Sequence, residues 1–514
     1  MTMSRGSSCT SASEPRQSKD ELWAGCLERP VGDGAVVQMI GLESSKHIVY
    51  ARVIPTPGEN GEHHPQVTIL SAVQTMVDEE FDHLIHDVLE KKKRLRTDAH
   101  PPAAELLRLG SIWLINETAY TQGEDTHAHR LQPKDADTIP DWTDMTLRVH
   151  YVPDRHHMAH EVDWTKYCRG LLVGGNVEVK IGDEKPHVPM KGLPDGTDGA
   201  VVYEDEDLGY AIINKPGGMP GHGCRSNNTE NVCAMFHEAL KELWPRTHRK
   251  IHVTLPQHVD SEVEGLIIVS TRREFANYVS QYLTVGADGK TKVGEETKRY
   301  RCLVCVKDPA DMDKIQHLQE AGTILTHYFD PKSPQPKKRF VRSQPKNADH
   351  DWTECKMRIC SVGSGAGERG LRAASVTSQY ADANEPDVTL AHRLWKPEQD
   401  TNPAERLGAE YVMEIEVEDL SDLPHQLRGQ LANLGTPIVG DFLYGGGICE
   451  TGAHRHTWRR MAVQCSMLAF PEPKWEEGGE QGDGGTMVPS DQKCWFHLND
   501  AWWTPYLEEY SRSV

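Results

Sequence analysis

From Tyr411 to Leu420 the chain reads YVMEIEVEDL, with Tyr411, Met413, Ile415 and Val417 alternating against Glu414, Glu416 and Glu418. Successive side chains of a β-strand point to opposite faces, so this pattern predicts a half-buried strand, apolar on one face and acidic on the other. A few residues later, in HQLRGQLANLG, the period changes. Leu427, Leu431 and Leu434 recur at helical spacing, and Gly435 stands where a helix stops. The same alternation of elements reaches back to Val201. VVYEDEDLGYAIINKPGG predicts two short strands around an acidic turn, GLIIVS a strand followed by the helix TRREFANYVSQYL, and KRYRCLVCV another strand.

With 514 residues the chain is long enough for about two to four domains. Residues 1–20 are expected to be a disordered, Ser-rich tail; two arginines in it also suit a short transit peptide. Residues 21–160 form a mixed α/β region. QTMVDEEFDHLIHDVLEKKKRL within it places Val77, Phe81, Leu84, Ile85, Val88 and Leu89 at helical spacing. Then come a short helix and a strand in PAAELLRLGSIWLINE, separated by Gly110, and a strand in TLRVHYVPDRH. Residues 161–200, ending in the turn-rich KGLPDGTDG, are expected to be a linker. Residues 201–475 are the principal domain, with a polar loop insertion at 363–408, and 476–514 a C-terminal extension that opens with the flexible run EEGGEQGDGG.

At 37% hydrophobic and 26% charged residues the chain can bury a sizeable core. Its formal charge of −21 is unlike that of a dedicated nonspecific nucleic-acid binder, so contact with RNA must come from a local basic surface. The clearest one is PKSPQPKKRFVR, which carries Lys332, Lys337, Lys338, Arg339 and Arg342 on a proline-held backbone; a plain solvated charge run is the alternative. Twelve cysteines follow no framework spacing. Cys302 and Cys305 form the one close CxxC, but on a strand they point to opposite faces, which suits neither a metal nor a redox pair. Tryptophans 475, 495, 502 and 503 are expected to be packing anchors. No run approaches eighteen apolar residues, so no membrane span is expected, and the N-terminus has no secretory h-region.

The motifs INKPGGMPGHG, QHVDSEVEGLIIVS, KRYRCLV, GTILTHYFDPKSPQPKK and LPHQLRGQLANLGTPIVGDFLYGG come in that order. Together, over Val201 to Pro473, they resemble the RluA-type branch of the RNA pseudouridine synthases. The resemblance implies an α+β domain: a mixed, mainly antiparallel central sheet with flanking helices and a central active-site cleft. It also implies that uridines in RNA are isomerised without a metal, nucleotide or redox cofactor. RNA would then be the partner, with no membrane, in a monomer of cytoplasmic or organellar location. The helix, Gly110, strand and LRVH of the N-terminal region similarly resemble the small alpha-L RNA-binding module; an ordinary α/β segment is the alternative.

By position Asp260 matches the family's aspartate, which either attacks the anomeric carbon or takes a proton from the neighbouring sugar carbon. Read alone, it is one turn acid among 77 acidic residues. Tyr300, in K-x-Y, matches the ring that packs on the target base; a core-facing tyrosine is the alternative. Arg428 of HQLR matches the basic partner that keeps the aspartate ionised, and His425 and Gln426 shape the pocket or cap the helix. Lys215 and His222 belong to the NKP loop, where a lysine contacts a phosphate or braces the loop. The chain departs from the family where His258 replaces the usual arginine two residues before the aspartate, and where Ser421-Asp422-Leu423-Pro424 replaces T-G-R-T. A shorter, titratable side chain cannot make an arginine's bidentate phosphate contact. An RNA-binding protein that keeps the fold without the chemistry is therefore the second reading.

Overall fold

The computed structural model describes residues 27–31, 35–43, 47–56, 66–77, 101–122, 128–156, 177–182, 201–243, 252–283, 298–333, 337–346, 350–362, 371–372, 411–441, 443–446, 461–476, 485–501 and 503–504. It divides into two units: residues 1–155 with 224–229, and residues 156–223 with 230–514.

In the first unit, six strands form an antiparallel sheet: β1 (Leu27–Pro30), β2 (Ala35–Glu43), β3 (Ile48–Pro55), β4 (Ile112–Asn116), β5 (Ala128–Arg130) and β6 (Met145–His150). Their order is β1-β2-β3-β6-β4-β5. Helices Ile69–Met76 and Ala103–Leu109 bury Ile69, Val73, Met76, Leu106 and Leu107 with Val37, Val49, Leu147 and Val149. The second helix ends at Gly110, and β4 and β6, which carry IWLIN and MTLRVH, are antiparallel neighbours. Of the long helix expected over QTMVDEEFDHLIHDVLEKKKRL, residues 78–95 lie outside the described residues.

The second unit is α+β around one large, mostly antiparallel sheet. Its strands are β7 (Val177–Ile181), β8 (Val201–Asp205), β9 (Tyr210–Lys215), β10 (Glu264–Ser270), β11 (Lys298–Val306) and β12 (Ile324–Phe329). They are followed by β13 (Phe340–Val341), β14 (Thr353–Val362), β15 (Leu371–Arg372), β16 (Tyr411–Asp419), β17 (Val463–Trp475) and β18 (Met487–Leu498). The path β13-β12-β14-β16-β11-β17-β10-β9-β8 is extended by β15 on β16 and by β18, which bridges β17 and β7. Only the β10–β17 pair runs parallel among the described strands. Helices Arg273–Leu283, Pro309–Glu320 and Gln426–Leu434 pack apolar faces on it, burying Phe275, Val279, Ile315, Leu431 and Leu434 with the strand residues Ile268, Val304 and Ile415.

Three expectations change. The segment 161–200, expected to be a linker, supplies β7, because Val177 and Val179 alternate into the core and pair with β18. The extension 476–514 in turn supplies β18, whose Cys494, Phe496 and Leu498 are buried, so the sheet does not end at residue 475. Most of the 363–408 insertion lies outside the described residues; Leu371–Arg372 pairs with β16. Finally, the acidic face of β16 does not look into solvent. Arg299 pairs with Glu416 at 3.5 Å, the Trp503 indole donates to Glu414 at 2.6 Å, and Arg358 pairs with a wholly buried Glu418. β16 is paired along both edges, by β14 and β11, and its acids are held by side chains of the neighbouring strands and by Trp503.

Candidate active site

The centre of this sheet positions four pieces of chain in one place. Asp260 lies on the turn entering β10, where its carbonyl accepts the Val263 N–H at 3.2 Å. Gly265, five residues on, has φ +101°, and a Cβ there would stand 2.4 Å from the Cys465 carbonyl, so only glycine lets β10 leave this turn so close to β17. Tyr300 is the third residue of β11, opposite Val417 and Cys465. After β16 the chain bends through Ser421–Pro424 into the helix Gln426–Leu434, which carries Arg428 in its first turn, with His425 before it at φ +58°. The fourth piece, TPIVGDFLYGG, is stitched to β11 by backbone hydrogen bonds from Cys305 to Pro437 and from Val439 to Leu303.

The first three pieces line a pocket, with His258, Asp260, Tyr300, Asp422, His425 and Arg428 among its walls and about 410 Å³ of empty space, part of it open to solvent. The Asp260 side chain is 10% exposed. Arg428 Nη1 is 3.3 Å from its Oδ2, His258 Nε2 3.4 Å from its Oδ1, and His425 Nε2 3.9 Å from its Oδ2. Burial alone would push this carboxyl up. The hydrogen bond from His258 and the neighbouring His425 and Arg428 outweigh it and hold the group at about 2. Asp260 is therefore an ionised carboxylate on the wall of the pocket, the state in which a carboxylate can serve as a nucleophile or a base.

Arg428 meets Asp260 with only one arm. Its Nε and Nη2 donate to the two oxygens of Asp441 at 2.7 and 3.0 Å, a bidentate fork on a wholly buried carboxylate. That fork aims the remaining nitrogen at Asp260, and at Glu262 3.7 Å away. Burial works against the guanidinium's charge, but Asp441, Asp260 and Glu262 together raise its pKa further. Tyr444, from the same turn as Asp441, stacks under the Arg428 guanidinium at 5.4 Å and holds His425 Nδ1 through its hydroxyl at 3.2 Å. Neither Asp441 nor Tyr444 stands out in the sequence. The available signal is a lone acid and a phenol inside the otherwise apolar PIVGDFLYGG.

The other sequence candidates fall in different places. Tyr300 lines the pocket and is also a core residue, 6% exposed. Two positions before it, Lys298 is buried against Asp422, whose φ of +54° turns the carboxylate towards it. Lys215 lies beneath the site. Its ammonium donates to the carbonyls of Pro216, Met219 and Ser261 at 2.9, 2.7 and 2.9 Å, so it braces the NKP loop against the Asp260 turn. Burial pulls it down to about 7 against the pull of Glu262, Glu264 and Asp260. His222 is turned to Cys233, with Nδ1 3.5 Å from its Sγ.

The basic cluster runs beside the pocket. Phe340 packs on Gly429 of the HQLR helix, Asn433 donates to the Phe340 carbonyl at 2.9 Å, and the Lys338 backbone N–H donates to the Tyr444 hydroxyl at 2.9 Å. Lys332, Lys337, Arg339 and Arg342 are exposed along it, and the Lys337 ammonium lies 5.2 Å from the Tyr444 ring centroid. No three His, Cys, Asp or Glu side chains converge as a metal ion would need among the described residues. Cys302 and Cys305 are both buried and unpaired, facing different surroundings.

No protein-family description matches the chain. Two plant proteins do. The RNA pseudouridine synthase 6, chloroplastic, of Arabidopsis thaliana is 24% identical over 298 residues, which cover 58% of this chain and 44% of that protein. The protein of the same name from Oryza sativa subsp. japonica is 23% identical over 308 residues, with the same coverage of 58% and 44%. The match thus spans less than half the length of these relatives. Among solved structures, Human RNA Pseudouridylate Synthase Domain Containing 1 covers 61% of this chain and 95% of its own at 13% identity, with a TM-score of 0.31. Human RNA Pseudouridylate Synthase Domain Containing 4 covers 61% and 93% at 12% identity, again with a TM-score of 0.31.

Proposed function

We propose that this chain, related as it is to the RluA-like RNA pseudouridine synthases, isomerises specific uridines in RNA to pseudouridine with Asp260 as its catalytic carboxylate. The observation that carries the reading is Asp260 itself: a nearly buried carboxylate kept ionised by one arm of Arg428 and by His258, with the His425 imidazole beside it, in a pocket walled by Tyr300. The reaction asks for one such group beside the ribose and for an apolar ring against the base, and both are within one pocket. A uridine in a helix hides its sugar face, so the nucleotide has to be turned out of the stack to enter. The exposed lysines and arginines of the 332–342 segment, which runs alongside the pocket, are placed to hold the flanking phosphates of RNA despite the overall acidity. Lys215 acts through the loop it braces. No helix is long and apolar enough to cross a membrane among the described residues, and the plant relatives' names place those proteins in the chloroplast, which suits an organellar or cytoplasmic address here.

His258 supports a second reading. Its side chain is 54% exposed at the pocket mouth and cannot make an arginine's fork to phosphate, as a protein that binds RNA without modifying it would tolerate. One experiment separates the two. Wild type and Asp260→Asn are incubated with total RNA from cells lacking this protein, and pseudouridine is mapped by chemical probing. The enzyme reading expects sites that appear with wild type and vanish with Asp260→Asn. RNA retained by both proteins with no Asp260-dependent site would leave the binding reading standing.

A further inference from the structure

Turning uridine into pseudouridine moves one proton. The C1′–N1 bond breaks and its electron pair goes to N1; the C1′–C5 bond forms with a pair from the ring; the hydrogen on C5 leaves as a proton, and N1 ends protonated. Asp260 serves the sugar, and a carboxylate held so far below its ordinary range is a poor acceptor for a carbon-bound proton. Once the new bond exists, C5 is attached to the anomeric carbon beside Asp260. The group that takes its proton must therefore sit within a few ångströms of that carboxylate.

Resting on the pseudouridine synthase reading, we infer that His425 is the base that removes the C5 proton, and that Tyr444 is the positioning residue that prepares it. His425 lines the pocket, 18% exposed, with Nε2 3.9 Å from Asp260 Oδ2, too far for a hydrogen bond and close enough to reach a carbon attached at the same centre. The Tyr444 hydroxyl donates to the Lys338 carbonyl at 3.2 Å and accepts the Lys338 N–H at 2.9 Å. Its proton is committed, so at 3.2 Å it accepts from His425 Nδ1–H. That tautomer leaves the Nε2 lone pair facing the pocket, and Asp260 stands where it would stabilise the imidazolium formed, the arrangement of a base oriented from behind.

The groups facing this imidazole are Asp260 and Glu262 from the turn before β10, Arg428 from its own helix, and Asp441 and Tyr444 from the 437–446 turn. Burial and Arg428 favour the neutral ring, against Asp260, Glu262 and Asp441. His258 is the less suitable histidine: it is half exposed, and its Nε2 donates to Asp260 Oδ1.

The test uses total RNA labelled with [5-³H]uridine, from cells lacking the protein, and follows tritium release to water. His425→Gln should lower kcat ~10²-fold or more with KM for RNA nearly unchanged, and deuterium at C5 should slow the variant more than wild type. His425→Ala should recover with added imidazole, Tyr444→Phe should shift the pH profile, and His258→Gln should act on KM. Tritium release by His425→Gln within about threefold of wild type, or a loss without a C5 isotope effect or imidazole rescue, overturns the inference. Wild type that releases no tritium overturns the parent reading instead, as does release that survives Asp260→Asn.

Discussion

Arg428 joins two carboxylates that could not be buried without it. Asp441 takes the fork, and what remains of the guanidinium is offered to Asp260. This division makes the Arg428–Asp441 pair a fixed support and the Arg428–Asp260 contact the adjustable one, at 3.3 Å rather than 2.7 Å. Folding lowers the Asp260 pKa from 3.8 to about 2, so the unfolded chain binds the proton first as pH falls. The contribution, roughly 2 kcal/mol, is complete above about pH 4 and is lost as pH drops through about 2. Urea unfolding of wild type and Asp260→Asn across pH 6 to 3 should therefore show a stability gap that narrows with acidity. A gap independent of pH would mean that Asp260 is not held ionised by its neighbours.

At the scale of elements, the helix Gln426–Leu434 and the segment 337–342 act as one piece. A Cβ on Gly429 would stand 2.0 Å from the Phe340 ring, so the helix accepts the basic segment only because position 429 has no side chain. Gly429→Ala is expected to cost about 1–3 kcal/mol by overpacking, and to weaken RNA binding as the segment is displaced from the pocket. Phe340→Ala in that background should recover part of the stability by removing the clash, measured by denaturant unfolding and filter binding. The helix is readable in advance from its leucine spacing and terminal glycine; its packing against a strand some 90 residues earlier is not. Local periodicity names the buried face of an element but not what covers it. The acidic face of β16 illustrates this in the other direction. Alternation predicts solvent, and only the neighbouring Arg299, Arg358 and Trp503 make burial tolerable there.

Over the whole molecule, a formal charge of −21 repels phosphate while the 332–342 segment attracts it, so RNA affinity should depend steeply on salt. Replacing Lys332 and Lys337 by Glu should weaken binding for all RNAs alike and reduce the salt slope by about 0.7–0.9 for each phosphate no longer neutralised. An unchanged slope would mean that RNA phosphates are held by other parts of the surface. What the sequence by itself determined were the elements and their order: strands from alternation, the helix from its spacing, and Asp260, Tyr300 and Arg428 as candidates because their motifs follow in a known succession. Only the tertiary structure decided that Arg428 forks onto Asp441, that the Tyr444 hydroxyl meets His425, that the Lys215 ammonium is spent on three backbone carbonyls, and that β7 and β18 complete the sheet. The reason is physical. Side-chain period follows from backbone geometry a few residues long. A buried charge is defined by partners that only the folded sheet brings within hydrogen-bonding distance, here residues from Asp260 to Tyr444.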